Sequence, residues 1–137
     1  MSKEITRVGK VSSVNYETGS VRVAYHEKDD CVTRELPLLS NEYQMPPVGS
    51  QVFVVHLSNG TEAAVVLGRP WSEKNRPAEG GEGLYRKELG LTPGEAFFRY
   101  KDGTLVIHAE NVVIEGNLSV SGNLSVSGSI SGNIVSR

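Results

Sequence analysis

The C-terminal part of the chain alternates between two kinds of residue over more than twenty positions. Every second residue from 112 to 134 is apolar or glycine, and every intervening residue from 115 to 133 is Glu, Asn or Ser. Successive side chains of an extended strand point to opposite faces, so the pattern predicts a continuous ribbon with one apolar face. That face carries eight aliphatic side chains: Val112, Ile114, Leu118, Val120, Leu124, Val126, Ile130 and Ile134.

A six-residue repeat is superimposed on this alternation. Residues 116–121 recur as residues 122–127, and the repeat continues in degraded form from residue 128. Short periods of this kind are typical of β-helices and fibres, and we expect the recurring glycines to permit bends or close approach of strands. No turn reverses the ribbon, so one copy cannot cover its own apolar face. Three chains are the smallest number that encloses an axis, and we therefore predict a homotrimer with these eight side chains in its core.

Two other interpretations of this segment fit its residues less well. A disordered low-complexity tail would explain its Ser and Gly content, but strict apolar alternation is not a property of such tails. A single-chain solenoid would need three or more coils, and too few residues are available for them.

The rest of the chain divides into two parts. Residues 4–68 contain about five short strand patterns separated by turns, with no helical periodicity, and they favour an OB-like antiparallel barrel over residues 1–70. The clearest of these signals are the alternation at Ser20–Tyr25, a return strand at Cys31–Leu36, the apolar run at Gln51–Leu57 and a hairpin turn at Asn59-Gly60. Prolines in the loop 37–47 exclude a central strand there. A small SH3-like barrel is the nearest alternative. Residues 71–111 combine a Pro/Gly-rich linker with an aromatic hairpin around the Asp102-Gly103 turn. The predicted fold is all-β: barrel, linker and hairpin, then a trimeric β-helix over residues 112–137.

Composition excludes several classes of function. Fourteen Lys and Arg against sixteen Asp and Glu leave no basic excess for a phosphate backbone, so we expect no nucleic-acid partner. The single Cys31 excludes an internal disulfide framework and a cysteine-based zinc cluster, and its acidic neighbours make it a poor nucleophile. No apolar run is long enough for a membrane span or a signal peptide, so we expect assembly in a cytoplasm.

We predict no catalytic residues, no metal site and no cofactor, because no catalytic or phosphate-binding motif is present. His56 reads as a structural residue of a strand. His26 reads as part of a solvated turn, with a weak metal site as the alternative. His108 shares a side with Val106, so three copies could meet at an axis and hold an ion. We expect Trp71 to pack at the edge of the barrel or at the seam of the trimer; stacking on a nucleic-acid base is the alternative.

Several stretches, in order along the chain, carry a family resemblance. They cover most of the sequence: residues 7–11 with 19–23, residues 46–54, residues 64–71, the hairpin 97–104 and the alternating tail. Together they resemble the baseplate assembly protein V family, the central spike of contractile phage tails. Related spikes occur in type VI secretion and in phage-tail-like bacteriocins.

The resemblance implies an OB-fold domain followed by an intertwined triple-stranded β-helix in a homotrimer. It also implies a non-enzymatic role at the baseplate centre of a virion or tail-like particle assembled in the bacterial cytoplasm. The spike would attach to the tail hub or tube and contact the target cell envelope transiently as the sheath drives it through. Larger relatives insert a lysozyme domain, but the span 69–103 is too short for one, so we expect no cell-wall cleavage.

One departure concerns the tip. Some members carry a His-X-His pair near the C-terminus that binds iron between three chains, whereas the present chain has only His26, His56 and His108. We therefore expect a separate tip-capping protein rather than a metal-capped point.

Two rival functions remain open from sequence. One is an OB-fold nucleic-acid-binding module with a disordered tail, which would be a monomer. The other is a small polysaccharide hydrolase, although no spacing among Glu62, Glu73, Glu79 and Glu82 nominates a carboxylate pair. The molecular mass in solution separates the spike from both rivals.

Overall fold

A computed structural model describes residues 6–28, 31–39, 42–57 and 63–135. Its strands form antiparallel sheets, and the described residues contain no α-helix, only a 3-10 turn at His26–Lys28. The all-β antiparallel prediction is therefore confirmed. The chain divides into two compact units, an N-terminal unit, Met1–Ala78, and a C-terminal unit, Glu79–Arg137. Within the described ranges, no helix has the length and apolar character needed to cross a membrane.

The N-terminal unit contains one sheet built around a long first strand. Its strands are β1 (Thr6–Asn15), β2 (Ser20–Tyr25), β3 (Cys31–Val32), β4 (Leu36–Pro37), β5 (Gln51–His56) and β6 (Ala64–Gly68). The first half of β1 pairs with β5 and its second half pairs with β2. Beyond these, β2 pairs with both β3 and β4, and β5 pairs with β6. The register of β1 against β2 shifts between Val11 and Ser13, as at a β-bulge, where strands bend.

Alternating apolar residues from these strands make the core of the N-terminal unit. In β2 and β5, buried positions alternate with more exposed ones, as expected of strands with one face on a core. The buried hydrophobic residues are Val11, Val21, Val23, Tyr25, Leu36, Met45, Val52, Val54, Ala64 and Val66. Gly9 permits close packing beside this core, because a Cβ there would lie 2.5 Å from Val23 Cγ1 and 2.8 Å from the Ala24 carbonyl oxygen.

The segment that follows β4 reaches the strand at the other end of the sheet. Leu38 forms a parallel bridge with Val66, and the Leu39 amide donates a hydrogen bond of 2.9 Å to the Val66 carbonyl oxygen. This loop also supplies Met45 to the core, although its prolines were expected only to exclude a central strand. The predicted hairpin turn at Asn59-Gly60 lies outside the described residues.

The C-terminal unit contains a second sheet of three antiparallel strands. Its strands are β7 (Tyr85–Glu88), β8 (Phe97–Lys101) and β9 (Thr104–His108), in that order across the sheet. Asp102 and Gly103 have positive φ angles of 51° and 83°, as a two-residue type I′ hairpin requires. The predicted aromatic hairpin is therefore present. Strand β7 lies in a stretch that the sequence assigned to linker, because four mostly polar residues after a glycine cluster carry no strand pattern.

The tail follows β9 directly. In the single chain, residues 109–135 pair with no other described strand, and the chain bends at Gly116, near Gly122, near Gly128 and at Gly132. The first three bends are spaced by the six-residue period of the sequence. Residues 136 and 137 lie outside the described ranges.

Candidate self-assembly surface

The eight aliphatic side chains of the predicted trimer core are exposed in the single chain. Their exposed fractions run from 44% at Val126 to 69% at Leu124. These residues are Val112, Ile114, Leu118, Val120, Leu124, Val126, Ile130 and Ile134, which we call the tail face. The chain's own described residues therefore leave this face largely uncovered.

The two faces of the tail already differ within one chain. Val120 and Val126, at even positions, are 47% and 44% exposed, whereas Val113 and Val135, at odd positions, are 82% and 84% exposed. Because all four are valines, side-chain size does not explain the difference. Val120 and Val126 are therefore partly covered by their own chain, whereas Val113 and Val135 are not.

The tail glycines do not all serve the same purpose. Gly116 and Gly132 have φ angles of 145° and 119°, a region that residues with a Cβ rarely adopt. Gly122 and Gly128 are not among the glycines with positive φ. In the single chain, a Cβ at any of these four positions would meet no atom within 4 Å. Only the first and last of these bends therefore need glycine for their backbone geometry.

A second exposed apolar surface lies on the sheet of the C-terminal unit. Strand pairing places Tyr85, Tyr100 and Leu105 in one row across the sheet. The adjacent row on the same side contains Lys87, Phe98 and Ile107, because side chains directly opposite each other share a face. The five apolar and aromatic members are between 37% and 61% exposed. We call these two rows the apolar sheet face.

The opposite face of this sheet is occupied by charged groups that bind one another. The Glu79 carboxylate accepts two hydrogen bonds of 2.8 Å from Arg99 and one of 3.1 Å from Arg86. Glu88 accepts from Arg86 Nε and, at 2.7 Å, from the Gly94 amide. We call Glu79, Arg86, Glu88 and Arg99 the carboxylate–arginine network. It attaches residue 79 and the β7–β8 loop to the sheet.

Aromatic contacts complete this charged face. The Arg86 guanidinium lies 3.7 Å from the centroid of the Phe97 ring, which stacks on His108 with their centroids 4.9 Å apart. The attraction between a guanidinium and an aromatic ring stabilises Arg86 in addition to its ion pairs. The side chains of the network, together with Phe97 and His108, therefore contact one another within the same unit, in contrast to the apolar rows on the other side.

The network shifts the pKa of its carboxyl groups. Hydrogen bonds from Arg99, opposed by partial burial and reinforced by Arg86, lower the pKa of Glu79 to about 2. The pKa of Glu88 is also lowered, mainly by its hydrogen bond with Arg86. Both groups are thus held as carboxylates by structural ion pairs, and neither is poised to exchange a proton near neutral pH.

The histidines considered from sequence lie in separate environments. His56 Nε2 is 2.8 Å from the Tyr25 hydroxyl, and the Arg7 guanidinium lies 5.3 Å from the Tyr25 ring centroid. Burial, and secondarily Arg7, lowers the pKa of His56, in keeping with the structural role expected of it. His108 lies on the charged sheet face, away from Leu105 and Ile107. His26 begins the 3-10 turn.

The other residues singled out from sequence are exposed. Cys31 is a free thiol and Trp71 is 68% exposed, so neither packs into the core of the N-terminal unit. Over residues 6–28, 31–39, 42–57 and 63–135, no cluster of three or more His, Cys, Asp or Glu side chains could hold a metal ion.

Sequence reasoning missed the apolar sheet face. Phe98 alternates with Tyr100, and Leu105 with Ile107, so four of its five apolar and aromatic members can be recognised in the hairpin sequence. The surface is complete only when β7 supplies Tyr85, and β7 was not predicted.

Comparison with known proteins adds no relative from which a role could be transferred. A scan against protein-family models and a search of curated proteins found no match to this chain.

Proposed function

We propose that the chain is the subunit of a homotrimeric central spike, which pierces the target cell envelope when a contractile tail or tail-like injection particle contracts. The observation that carries this proposal is the tail face: eight aliphatic side chains at alternate positions of the tail, which their own chain leaves exposed. A contiguous exposed apolar surface of this kind marks an interaction site.

Identical copies are the partners that fit this face best. Full burial of an aliphatic side chain is worth about 1.5–3 kcal/mol, and two symmetry mates would present the same apolar period to each other along the whole ribbon. Backbone groups of the ribbon that lack an intrachain partner would then pair between chains. The Ser and Asn side chains at odd positions would remain in water.

The proposed N-terminal domain is an OB-like barrel. The pairing of β1 with both β2 and β5 supports this, and so does the parallel bridge between Leu38 and Val66. That bridge lies between the segment after β4 and strand β6, the two parts of the sheet that an OB-like barrel would have to join. In the spike, this domain seats on the tail hub or tube.

The mechanical role follows from the proposed trimer. A triple ribbon with a continuous apolar axis and no long loops is stiff, because axial force is shared among interchain hydrogen bonds and packing contacts. The role requires no catalysis and no cofactor. In the proposed particle, a separate protein caps the tip, since the tail contains no His-X-His pair.

The mass of the full chain in solution tests the assembly. We expect light scattering to give three times 14.8 kDa for the natural sequence. The double variant Leu118→Asp, Leu124→Asp should be a monomer, because a charge buried in an apolar axis is strongly unfavourable. The matched control Ser119→Asp, Ser125→Asp places the same charges on the polar face and should remain trimeric.

Two results would overturn the proposal. A trimer that survives the Leu118 and Leu124 substitutions would show that the tail face is not the assembly surface. A monomeric natural chain that binds single-stranded nucleic acid with salt-dependent affinity would favour the nucleic-acid-binding alternative. If the trimer forms, antibody labelling of contractile particles should mark the baseplate end of the tail, and absence from that end would contradict the spike role.

A further inference from the structure

We propose that the apolar sheet face is a second interface between copies of this chain, packed against the C-terminal unit of a neighbouring copy at the base of the tail. This inference rests on the proposed trimer, because the tail is what brings the copies together. It assigns a role to Tyr85, Phe98, Tyr100, Leu105 and Ile107, which lie outside the tail face.

The two sides of the three-stranded sheet differ in whether their side chains have contact partners within the unit. On one side, the carboxylate–arginine network and the Phe97–His108 stack satisfy each other within the unit. On the other side, five apolar or aromatic side chains in two adjacent rows are exposed together. Grouped exposure of this kind differs from scattered surface hydrophobics, which need no partner. The side that needs cover is therefore the apolar one.

The short segment between β9 and the tail makes a second copy of the chain the nearest partner for the apolar sheet face. Strand β9 ends at His108 and the tail face begins at Val112, four residues later. Four extended residues span about 13 Å, so in a trimer each β9 end lies within about that distance of the start of the shared tail core. Tethers this short give effective concentrations on the order of millimolar. Each apolar sheet face is thus held among identical sheets as soon as the tails assemble.

A bend between the sheet and the tail fits the same arrangement. The apolar residues of β9 on this face, Leu105 and Ile107, are at odd positions, whereas the tail face starts at the even position Val112. A straight strand would put these two sets on opposite sides. The chain bends at Glu110, between the two sets. A change of direction at that point allows both apolar surfaces to face one axis.

Hydroxyl-radical footprinting of the natural full-length chain tests the interface without any substitution. Tyr85 and Tyr100 are 58% and 47% exposed in one chain, and Tyr16 and Tyr43 in the N-terminal unit, at 64% and 65%, serve as matched references. We expect Tyr85 and Tyr100 to be oxidised several-fold more slowly than the references in the trimer. In the monomeric Leu118→Asp, Leu124→Asp variant, all four tyrosines should react at similar rates.

Thiol labelling provides a second, independent measurement. In a Cys31→Ser background, Leu105→Cys should react with a maleimide about ten-fold more slowly in the trimer than in the monomeric tail variant, because an interface blocks the reagent. Leu67→Cys, an exposed leucine of β6, should react equally in both.

The outcomes separate the two proposals. A trimer in which Tyr85, Tyr100 and Leu105→Cys react as fast as their references overturns the second interface and leaves the spike assembly intact. A monomeric natural chain overturns both. Protection that persists in the monomeric variant means that the chain covers the face itself, which also overturns the second interface.

Discussion

The N-terminal unit and the tail use the same residue pattern with opposite results. Val21, Val23, Val52, Val54 and Val66 in the N-terminal unit are 0% exposed, whereas the valines of the tail face are about half exposed. In both regions apolar residues recur at every second position, although in β5 and β6 most of the intervening residues are apolar as well. The difference is that turns reverse the chain in the N-terminal unit, so that its strands cover one another. Alternation therefore defines an apolar face, and turns decide whether the same chain covers it.

This comparison has a consequence for stability. A core closed within one chain has a free energy of unfolding that does not depend on protein concentration. A core completed by other copies follows mass action, so its stability rises with concentration. The substitutions below are designed to affect one region and leave the other unchanged.

Val54→Ala should have the largest effect on the N-terminal unit. Val54 is fully buried opposite Val66, and losing its two methyl groups should cost about 3 kcal/mol, including the cavity left behind. Hydrogen exchange of β1 and β5 peptides should accelerate while the mass in solution stays unchanged. Val113→Ala, at an 82% exposed position, should change stability by less than about 0.5 kcal/mol. If Val54→Ala dissociated the proposed trimer, the core of the N-terminal unit and the assembly of the tail would not be independent, which contradicts the comparison.

Gly9→Ala should have a somewhat smaller effect on the same unit. The added methyl group would overlap Val23, the Ala24 carbonyl and Tyr25, and overpacking of this kind costs about 2 kcal/mol. Denaturant unfolding followed by hydrogen exchange would measure the loss of stability of the N-terminal unit. Gly80→Ala is the control, because no atom lies within 4 Å of its added Cβ and its φ is not positive. Equal stability of the two variants would mean that β1 and β2 are less closely packed than described.

The smallest effect is expected from acid titration of the carboxylate–arginine network. The pKa of Glu79 is lowered to about 2 from an ordinary value of 4.5, chiefly by Arg99. A lowered folded-state pKa stabilises the fold above the unfolded pKa, and this contribution is lost as the pH falls through about 2. Carbon-detected NMR should therefore find the Glu79 midpoint near 2.

Glu79→Gln tests whether that titration acts on the sheet. The variant should remove part of the acid sensitivity of β7–β9 between pH 4.5 and pH 2, while Glu82→Gln, at a neighbouring exposed glutamate, should leave it unchanged. Equal acid sensitivity in the Glu79→Gln variant and the natural chain would show that the ion pairs of Glu79 do not contribute to the stability of the sheet.

The elements that could be predicted are those with strong local signals. Alternation at Ser20–Tyr25, the apolar run at Gln51–His56 and the Asp102-Gly103 turn all correspond to observed strands or turns. The expected return strand over residues 31–36 is instead two pieces, Cys31–Val32 and Leu36–Pro37, each paired with β2. Strand β7 was missed because Tyr85–Glu88 is polar and gains its place from pairing with β8. Such pairing is non-local, and a linear pattern does not contain it.

The sequence by itself determined the β class and the position of the hairpin, since these depend on local alternation and turn chemistry. Only the tertiary structure decided which exposed apolar residues form a common surface and which charged residues are paired. The apolar sheet face joins residue 85 to residue 107, and the network joins Glu79 to Arg99. Contacts between residues so far apart along the chain follow from strand register, which is decided when the strands pair.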